Sequence, residues 1–113
     1  MMAVDLEGEN LGHDGSISII TIYVPAIESV YLVDVVVLGN KAFTTPATSQ
    51  TAGHTLQYIL EASNFTKLFW DVRGDNDALY NLHHVRMDGV IDVQLMDLAT
   101  RTNKQRETRL ALR

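Results

Sequence analysis

The run Val4-Asp5-Leu6-Glu7-Gly8 predicts a β-strand with an acidic face. Successive side chains of a strand point to opposite faces, so Asp5 and Glu7 share one face while Val4 and Leu6 share the other. Two carboxylates on one face repel each other, and their burial costs desolvation free energy. The pair is therefore either fully solvated, which is the usual case for an isolated Asp-x-Glu, or holds a cation.

Length and composition predict one folded domain over residues 1–113. The chain has 113 residues, of which 46% are apolar and 20% are charged, as in a globular protein. It has no cysteine, which excludes disulfides, thiolate catalysis and cysteine-based zinc sites. No apolar run approaches the roughly 18 to 20 residues that span a bilayer, and no signal-peptide pattern is visible. We therefore expect an intracellular protein, nuclear or cytoplasmic.

Charge is distributed unevenly along the chain. The net charge is −5, yet residues 101–113 hold five basic side chains against one acidic side chain. The preceding part is therefore strongly acidic, which argues against binding nucleic acid by charge alone. This acidity suits a carboxylate-lined site that awaits a metal ion.

Beyond the first strand, apolar periodicity predicts alternating strands and helices. Apolar β-branched runs indicate strands, and apolar residues at helical spacing indicate helices. The predicted strands cover 3–7, 16–24, 30–38, 67–72 and 90–93, and the predicted helices cover 55–62, a segment from Asp75 onward and a segment from Gln94 onward. The early strands predict an antiparallel meander, and a helix before each later strand predicts crossovers that make parallel neighbours. The sequence thus predicts an α/β fold with one mixed sheet.

Three segments, in their order along the chain, resemble one family. They are Asp5-Leu6-Glu7, Lys67-Leu68-Phe69-Trp70-Asp71-Val72-Arg73-Gly74-Asp75-Asn76-Asp77-Ala78-Leu79 and Ile91-Asp92-Val93-Gln94-Leu95. Together they resemble the 3′–5′ exonuclease domain of the DEDD superfamily, in the branch of RNase D and the Werner-type exonucleases. Within that branch the chain is similar to the exonuclease-domain-containing proteins.

The resemblance implies an RNase H-like fold, which agrees with the predicted order of elements. If the strand at 67–72 lies parallel beside the first strand, the carboxyl ends of the two strands are about 5 Å apart. Ligands of open α/β sheets bind at such strand ends. The loop that leads to Asp75 would then open next to Asp5 and Glu7.

The resemblance also implies a metal site and a reaction. Asp5 and Glu7 would be metal ligands and Asp75 the carboxylate of the second motif, all three with catalytic roles. Hard oxygen ligands of this type suit Mg²⁺ or Mn²⁺. Asp5 would bridge two ions about 4 Å apart, which in this family cleave phosphodiester bonds at the 3′ end of single-stranded nucleic acid.

The chain departs from the family pattern at its C-terminal end. Family enzymes complete the site with a fourth carboxylate on a late helix and with a Tyr or His that orients the attacking water. No Tyr or His follows His84, and the acidic residues after Asp92 are Asp97, which comes too early, and Glu107. We therefore expect a domain that is incomplete at its C-terminus and has weak or no activity by itself.

Other readings of these residues stay open. The chain could be a non-catalytic scaffold that derives from an exonuclease and binds nucleic acid or protein, or a fragment whose partner half supplies the missing groups. Asp75 could simply be a helix N-cap, and Asp92 is expected to cap the last helix rather than bind metal. An incomplete domain would also expose apolar surface, which predicts a homodimer or a protein partner that covers it.

Overall fold

Five strands form one mixed sheet in the computed structural model, which describes residues 1–12, 14–47 and 53–101. The strands are β1 (Met2–Glu9), β2 (Ser16–Val24), β3 (Ser29–Asp34), β4 (Lys67–Phe69) and β5 (Val90–Asp92). The helices are α1 (Val35–Leu38), α2 (Lys41–Thr44), α3 (Leu56–Glu61), α4 (Val72–His83) and α5 (Val93–Thr100), with a 3₁₀ turn at Pro25–Ile27. The basic residues beyond Arg101 lie outside the described residues.

The strand order in the sheet is β3-β2-β1-β4-β5. β1, β2 and β3 form an antiparallel meander, whereas β4 runs parallel to β1 and β5 runs parallel to β4. Met2 lies beside Lys67, so the first strand and the later β4 are direct neighbours. Helices α3 and α4 supply the crossovers that parallel neighbours require. The predicted mixed sheet is confirmed.

One face of the sheet carries the hydrophobic core. Val4 and Leu6 are buried there, as the alternation in β1 predicts. Leu60 of α3 and Leu79 of α4 belong to the same core cluster and are fully buried. Both helices therefore cover this face of the sheet.

The opposite face of the sheet, here called the open face, is largely exposed in the described part of the chain. The pairing registers place Asp5 opposite Thr21, and Thr21 opposite Leu32, so these three side chains lie on it. Large apolar side chains on this face are exposed to solvent: Ile19, Tyr23, Val30, Leu32 and Ile91. Antiparallel strands can leave one face of a sheet in water, but that face then usually carries polar side chains, which makes the exposure of these apolar side chains unusual.

The third strand is shorter than the sequence predicts. The predicted strand at 30–38 is wrong beyond Asp34, because Val35–Leu38 forms α1. The Asp34 carboxylate accepts a hydrogen bond of 3.1 Å from the amide of Val37 and caps this short helix. A valine-rich run favours a strand, but here the cap stabilises a helical turn instead.

Lys67 caps the C-terminal end of α3 from the protein interior. Its side chain is completely buried, and its Nζ donates to the carbonyl oxygens of Ile59 (2.8 Å) and Ala62 (2.7 Å). These carbonyls end a helix and have no partner within it. Burial lowers the pKa of Lys67, and the charge of Asp88 opposes this shift. The sequence analysis did not predict this role.

No helix in the described part of the chain is both long enough and apolar enough to cross a membrane.

Candidate active site

β1 presents Asp5 and Glu7 on the open face, where both side chains are exposed. Asp5 lies opposite Thr21 of β2, and Glu7 lies opposite Ile19. Their common orientation is the one that the period of two predicts. Both carboxylates are therefore accessible to a ligand that approaches this face.

A β-bulge follows Glu7 immediately. The register of β1 against β2 shifts between Glu7 and Gly8. A β-carbon at Gly8 would overlap the carbonyl oxygen of Ser16, so only glycine fits this close approach of two backbones. Bulges bend a strand and re-aim its side chains, and this one sets the direction of the strand just after the two carboxylates.

Asp75 approaches the same strand from the first turn of α4. Its side chain is buried, with 7% of its surface exposed, and its carboxylate accepts a hydrogen bond from the backbone amide of Leu6. Leu6 stands between Asp5 and Glu7 in the sequence. The fold therefore joins the second acidic segment to the first, although almost seventy residues separate them.

The electrostatics of Asp75 reflect this position. Burial, and then the charge of Asp5, raises the pKa of Asp75 to about 7, with smaller contributions from Asp71 and Glu7. The hydrogen bond from Leu6 acts in the opposite direction. Neighbouring carboxylates have this effect because a second negative charge nearby disfavours ionisation. Asp75 therefore holds its proton more tightly than an exposed aspartate does.

Asp75 is not the N-cap of its helix, so that alternative is wrong. α4 begins at Val72, and its cap residue Asp71 has a left-handed backbone (φ 54°) and makes no capping bond with its own side chain. The Asp71 carboxylate instead pairs with Arg73, at 2.8 Å and 3.2 Å. The burial of Asp75 therefore needs an explanation other than capping.

Asp92 supplies the missing cap from the neighbouring strand. Its Oδ1 accepts from the amides of Asp71 and Gln94, each at 3.0 Å, and its Oδ2 accepts from the amide of Val72 at 3.2 Å. The prediction that Asp92 caps the last helix is confirmed. Its second role at the start of α4 was missed, because only the parallel β4–β5 pairing brings residues 71 and 92 together.

A cavity of about 480 Å³ opens on the open face beside Asp5. Its lining is mostly apolar and includes Ala3, Tyr23, Leu68, Trp70 and Val93. Trp70 is 54% exposed here, although its place in the apolar run 67–72 predicts a buried side chain, whereas Phe69 next to it is buried in the core. The two residues differ because successive side chains of the chain leaving β4 point to opposite faces.

The three carboxylates fit a divalent metal in chemistry. Asp5, Glu7 and Asp75 offer the hard oxygen donors that Mg²⁺ and Mn²⁺ prefer. Among the described residues, no group of three or more His, Asp or Glu side chains is arranged to hold a metal ion. The assignment of these three residues as metal ligands and catalytic residues thus stays a prediction.

The sequence model of the 3′–5′ exonuclease family matches residues 1–111. The chain belongs to this family. The resemblance seen in the sequence is thereby confirmed, and the chain carries a 3′–5′ exonuclease domain of the DEDD type. No curated protein matches the chain.

Solved structures of exonucleases share this fold. RNase D of Trypanosoma brucei in complex with RNA U12 is 27% identical, with a TM-score of 0.68 over 87% of this chain and 32% of its own. The catalytic core of RRP6 from the same organism is 17% identical, with a TM-score of 0.62 over 88% and 25%. The RNase H-like fold that the resemblance implied is confirmed.

The exonuclease domain of EXD2 is a further structural neighbour of this exonuclease domain. Its crystals soaked in Mn, and separately in Mg and GMP, are each 18% identical, with a TM-score of 0.61 over 87% of this chain and 46% of their own. The chain thus spans between a quarter and a half of the length of the structures that it matches.

Proposed function

We propose that this domain removes nucleotides from the 3′ end of single-stranded nucleic acid with the help of Mg²⁺ or Mn²⁺. The observation that carries the proposal is the buried Asp75, which is held by the amide of Leu6 and senses the charges of Asp5 and Glu7. Membership of the exonuclease family supports it. So do the RNA held by RNase D and the ions soaked into EXD2.

In this proposal, Asp5, Glu7 and Asp75 hold the divalent ions. When bound, such ions supply an activated water and stabilise negative charge on the leaving 3′ oxygen. The chain contributes the rest: β1 fixes the spacing of Asp5 and Glu7, and α4 carries Asp75 against that strand. The exposed position of Asp5 and Glu7 leaves the reacting phosphate free access from solvent.

We expect slow hydrolysis from this chain by itself. The site offers three carboxylates, and the sequence holds no Tyr or His after His84 to orient the attacking water. The loss of a general base or of one ligand commonly lowers the rate by a factor of about 10² to 10⁴. Any activity should therefore be weak and should depend on Mn²⁺ or Mg²⁺.

We also propose that a polypeptide binds over the open face of the sheet. We further propose that the protein is intracellular, either nuclear or cytoplasmic. A second copy of the chain or another polypeptide would bury the apolar side chains around Tyr23 and Trp70, which are exposed in the described part. The solvated face of a sheet usually carries polar side chains, whereas this one carries apolar side chains. The relatives in which this region is a quarter to a half of the structure have further polypeptide available for this role.

A nuclease assay tests the proposal. Single-stranded RNA and DNA labelled at the 5′ end are incubated with Mn²⁺ and with wild type, Asp5→Ala or Asp77→Ala. Asp77 is an exposed acidic residue of the same helix as Asp75 and serves as the matched control. We expect a ladder that shortens from the 3′ end with wild type and Asp77→Ala, and none with Asp5→Ala or with EDTA.

Two results would contradict the proposal. Equal degradation by wild type and Asp5→Ala would mean that the cleavage does not use this site. Inactivity of all three proteins at high enzyme concentration, together with RNA binding that needs no metal, would identify a non-catalytic scaffold instead.

A further inference from the structure

β3 is an apolar strand at the edge of the sheet. It pairs with β2 on one side, and no described strand pairs with its other side. Its central residues are Val30, Tyr31, Leu32 and Val33, without the lysine, proline or bulge that usually protects an edge strand. The backbone donors and acceptors of its outer side are thus available for another strand.

Exposed apolar side chains concentrate along this edge. Of the sixteen large apolar side chains that are exposed in the described part of the chain, seven fall within residues 27–38, here called the β3 edge. They are Ile27, Val30, Tyr31, Leu32, Val36, Val37 and Leu38. Leu32 is 70% exposed and Val37 77%. A concentration of exposed apolar side chains of this kind points to an interaction site.

We propose that two copies of this chain associate by antiparallel pairing of their β3 edges. Residues that pair across antiparallel strands lie on the same face of the sheet, which restricts the possible registers. The register centred on Tyr31 sets Val30 opposite Leu32 of the second copy and Ser29 opposite Val33. The register centred on Leu32 would instead set Val30 opposite the charged Asp34.

The ends of the β3 edge also match in this register. Ile27, just before β3, comes opposite the start of α1 in the second copy, where Val36 and Val37 are exposed. The same contact repeats at the other end because of the two-fold symmetry. Exposed apolar side chains of one copy therefore meet exposed apolar side chains of the other at both ends of the strand. For this reason we favour a second copy over an unrelated partner.

The pairing closes at two copies. The opposite edge strand, β5, is only three residues long, so a β3-to-β5 contact that could continue into a fibre offers few hydrogen bonds. A two-fold pair, in contrast, uses up both β3 edges. The β3 edge is also separate from Asp5 and Asp75, so the dimer does not depend on the proposed exonuclease activity.

The charges near the β3 edge predict how salt affects the dimer. Glu28 and Asp34 flank the strand, and the register brings Glu28 close to Asp34 of the second copy. Like charges repel, and salt screens this repulsion within a Debye length of about 8 Å at physiological ionic strength. Added NaCl should therefore tighten the dimer. A foreign basic peptide on the same edge would be weakened by salt instead.

Single cysteine variants test the register directly, since the chain has no cysteine of its own. Tyr31→Cys places two thiols across the two-fold axis, with Cα atoms about 4.5 to 5.5 Å apart, which a disulfide can span. We expect a covalent dimer on mild oxidation. Ser29→Cys and Val33→Cys are matched controls, because each thiol lies roughly 13 Å from its copy. Neither should form a dimer alone, whereas a mixture of the two should.

Light scattering of Leu32→Lys tests the association itself. Leu32 is exposed, so the variant should keep the circular dichroism spectrum and melting temperature of a folded protein but become a monomer. The matched control is Leu95→Lys, which changes an exposed leucine of α5 and should leave the dimer intact. A wild-type monomer at high protein concentration would overturn the proposal. So would a dimer that resists Leu32→Lys, or cross-linking by Ser29→Cys alone that equals cross-linking by Tyr31→Cys.

Discussion

At the scale of single residues, Asp75 shows how position changes a common side chain. The same carboxylate at the surface would be ionised at neutral pH, but burial and the charge of Asp5 raise its pKa to about 7. A divalent cation reverses this balance, because its positive charge favours the ionised form. The free-energy cost of burying the ionised carboxylate of Asp75 is therefore lowest when a metal ion is bound.

The pKa of Asp75 predicts a pH dependence of stability in the metal-free protein. The folded pKa of about 7 lies above the ordinary value of 3.8, so the folded state holds an extra proton between these pH values. Stability from this group is fully present below pH 3.8 and is lost as the pH rises towards 7. We expect the melting temperature in EDTA to fall over this range.

Variants separate this effect from that of other titrating groups. Asp75→Asn cannot ionise and should flatten the pH dependence, whereas the exposed Asp77→Asn should retain the wild-type slope. A slope in Asp75→Asn equal to that of wild type would show that another group is responsible. The measurement needs only thermal melts at a series of pH values.

At the scale of elements, the starts of α4 and α5 depend on one side chain. Asp92 accepts hydrogen bonds from the amides of Asp71, Val72 and Gln94. The two helix N-termini also stabilise its negative charge. Since α4 carries Asp75, Asp92 affects the candidate site indirectly, because it stabilises the start of that helix.

Replacing this carboxylate should therefore affect both helices. We expect Asp92→Ala to lower the free energy of unfolding by about 2 to 3 kcal/mol, because several amides lose their acceptor. Urea denaturation gives this value. Asp77→Ala is the control, since Asp77 is an exposed residue of α4, and we expect a smaller loss. Equal losses in the two variants would contradict the shared-cap interpretation.

The elements also show what the sequence could predict. The alternation in β1 and the β-branched run of β2 are local patterns, and both strands were predicted together with the acidic pair. The prediction failed at Val35–Leu38, where the cap from Asp34 outweighs a valine-rich strand pattern. It also failed at the start of α4, where the stabilising group comes from a distant strand. The buried Lys67 was missed because a lysine is normally exposed, and no local pattern shows that its ammonium group turns inward to the carbonyls of Ile59 and Ala62.

At the scale of the whole molecule, the sheet is covered on one face and exposed on the other in the described part. Trp70 is the only tryptophan of the chain and lies in the cavity on the open face. It therefore reports on any cover over that face. The sequence could not predict this exposure, because an apolar residue beside a strand normally indicates a core position.

Fluorescence of Trp70 tests the state of the open face. We expect a red-shifted emission and strong quenching by acrylamide, because 54% of the side chain is exposed. Pairing through the β3 edge should leave both signals unchanged, so Leu32→Lys should match wild type. Emission that is blue-shifted and protected from quenching in the purified protein would show that a second copy, rather than another polypeptide, covers the open face.

The complete burial of Lys67 has a further practical consequence. An amine-reactive reagent can acylate the deprotonated amino group of Lys67 only when α3 and β4 separate, whereas Lys41 is exposed and reacts in the native state. The acylation rate of Lys67 relative to Lys41, followed by mass spectrometry, would thus count opening events of this region. The two lysines thus form a built-in pair of probes, one for local opening between α3 and β4 and one for the reactivity of the reagent itself.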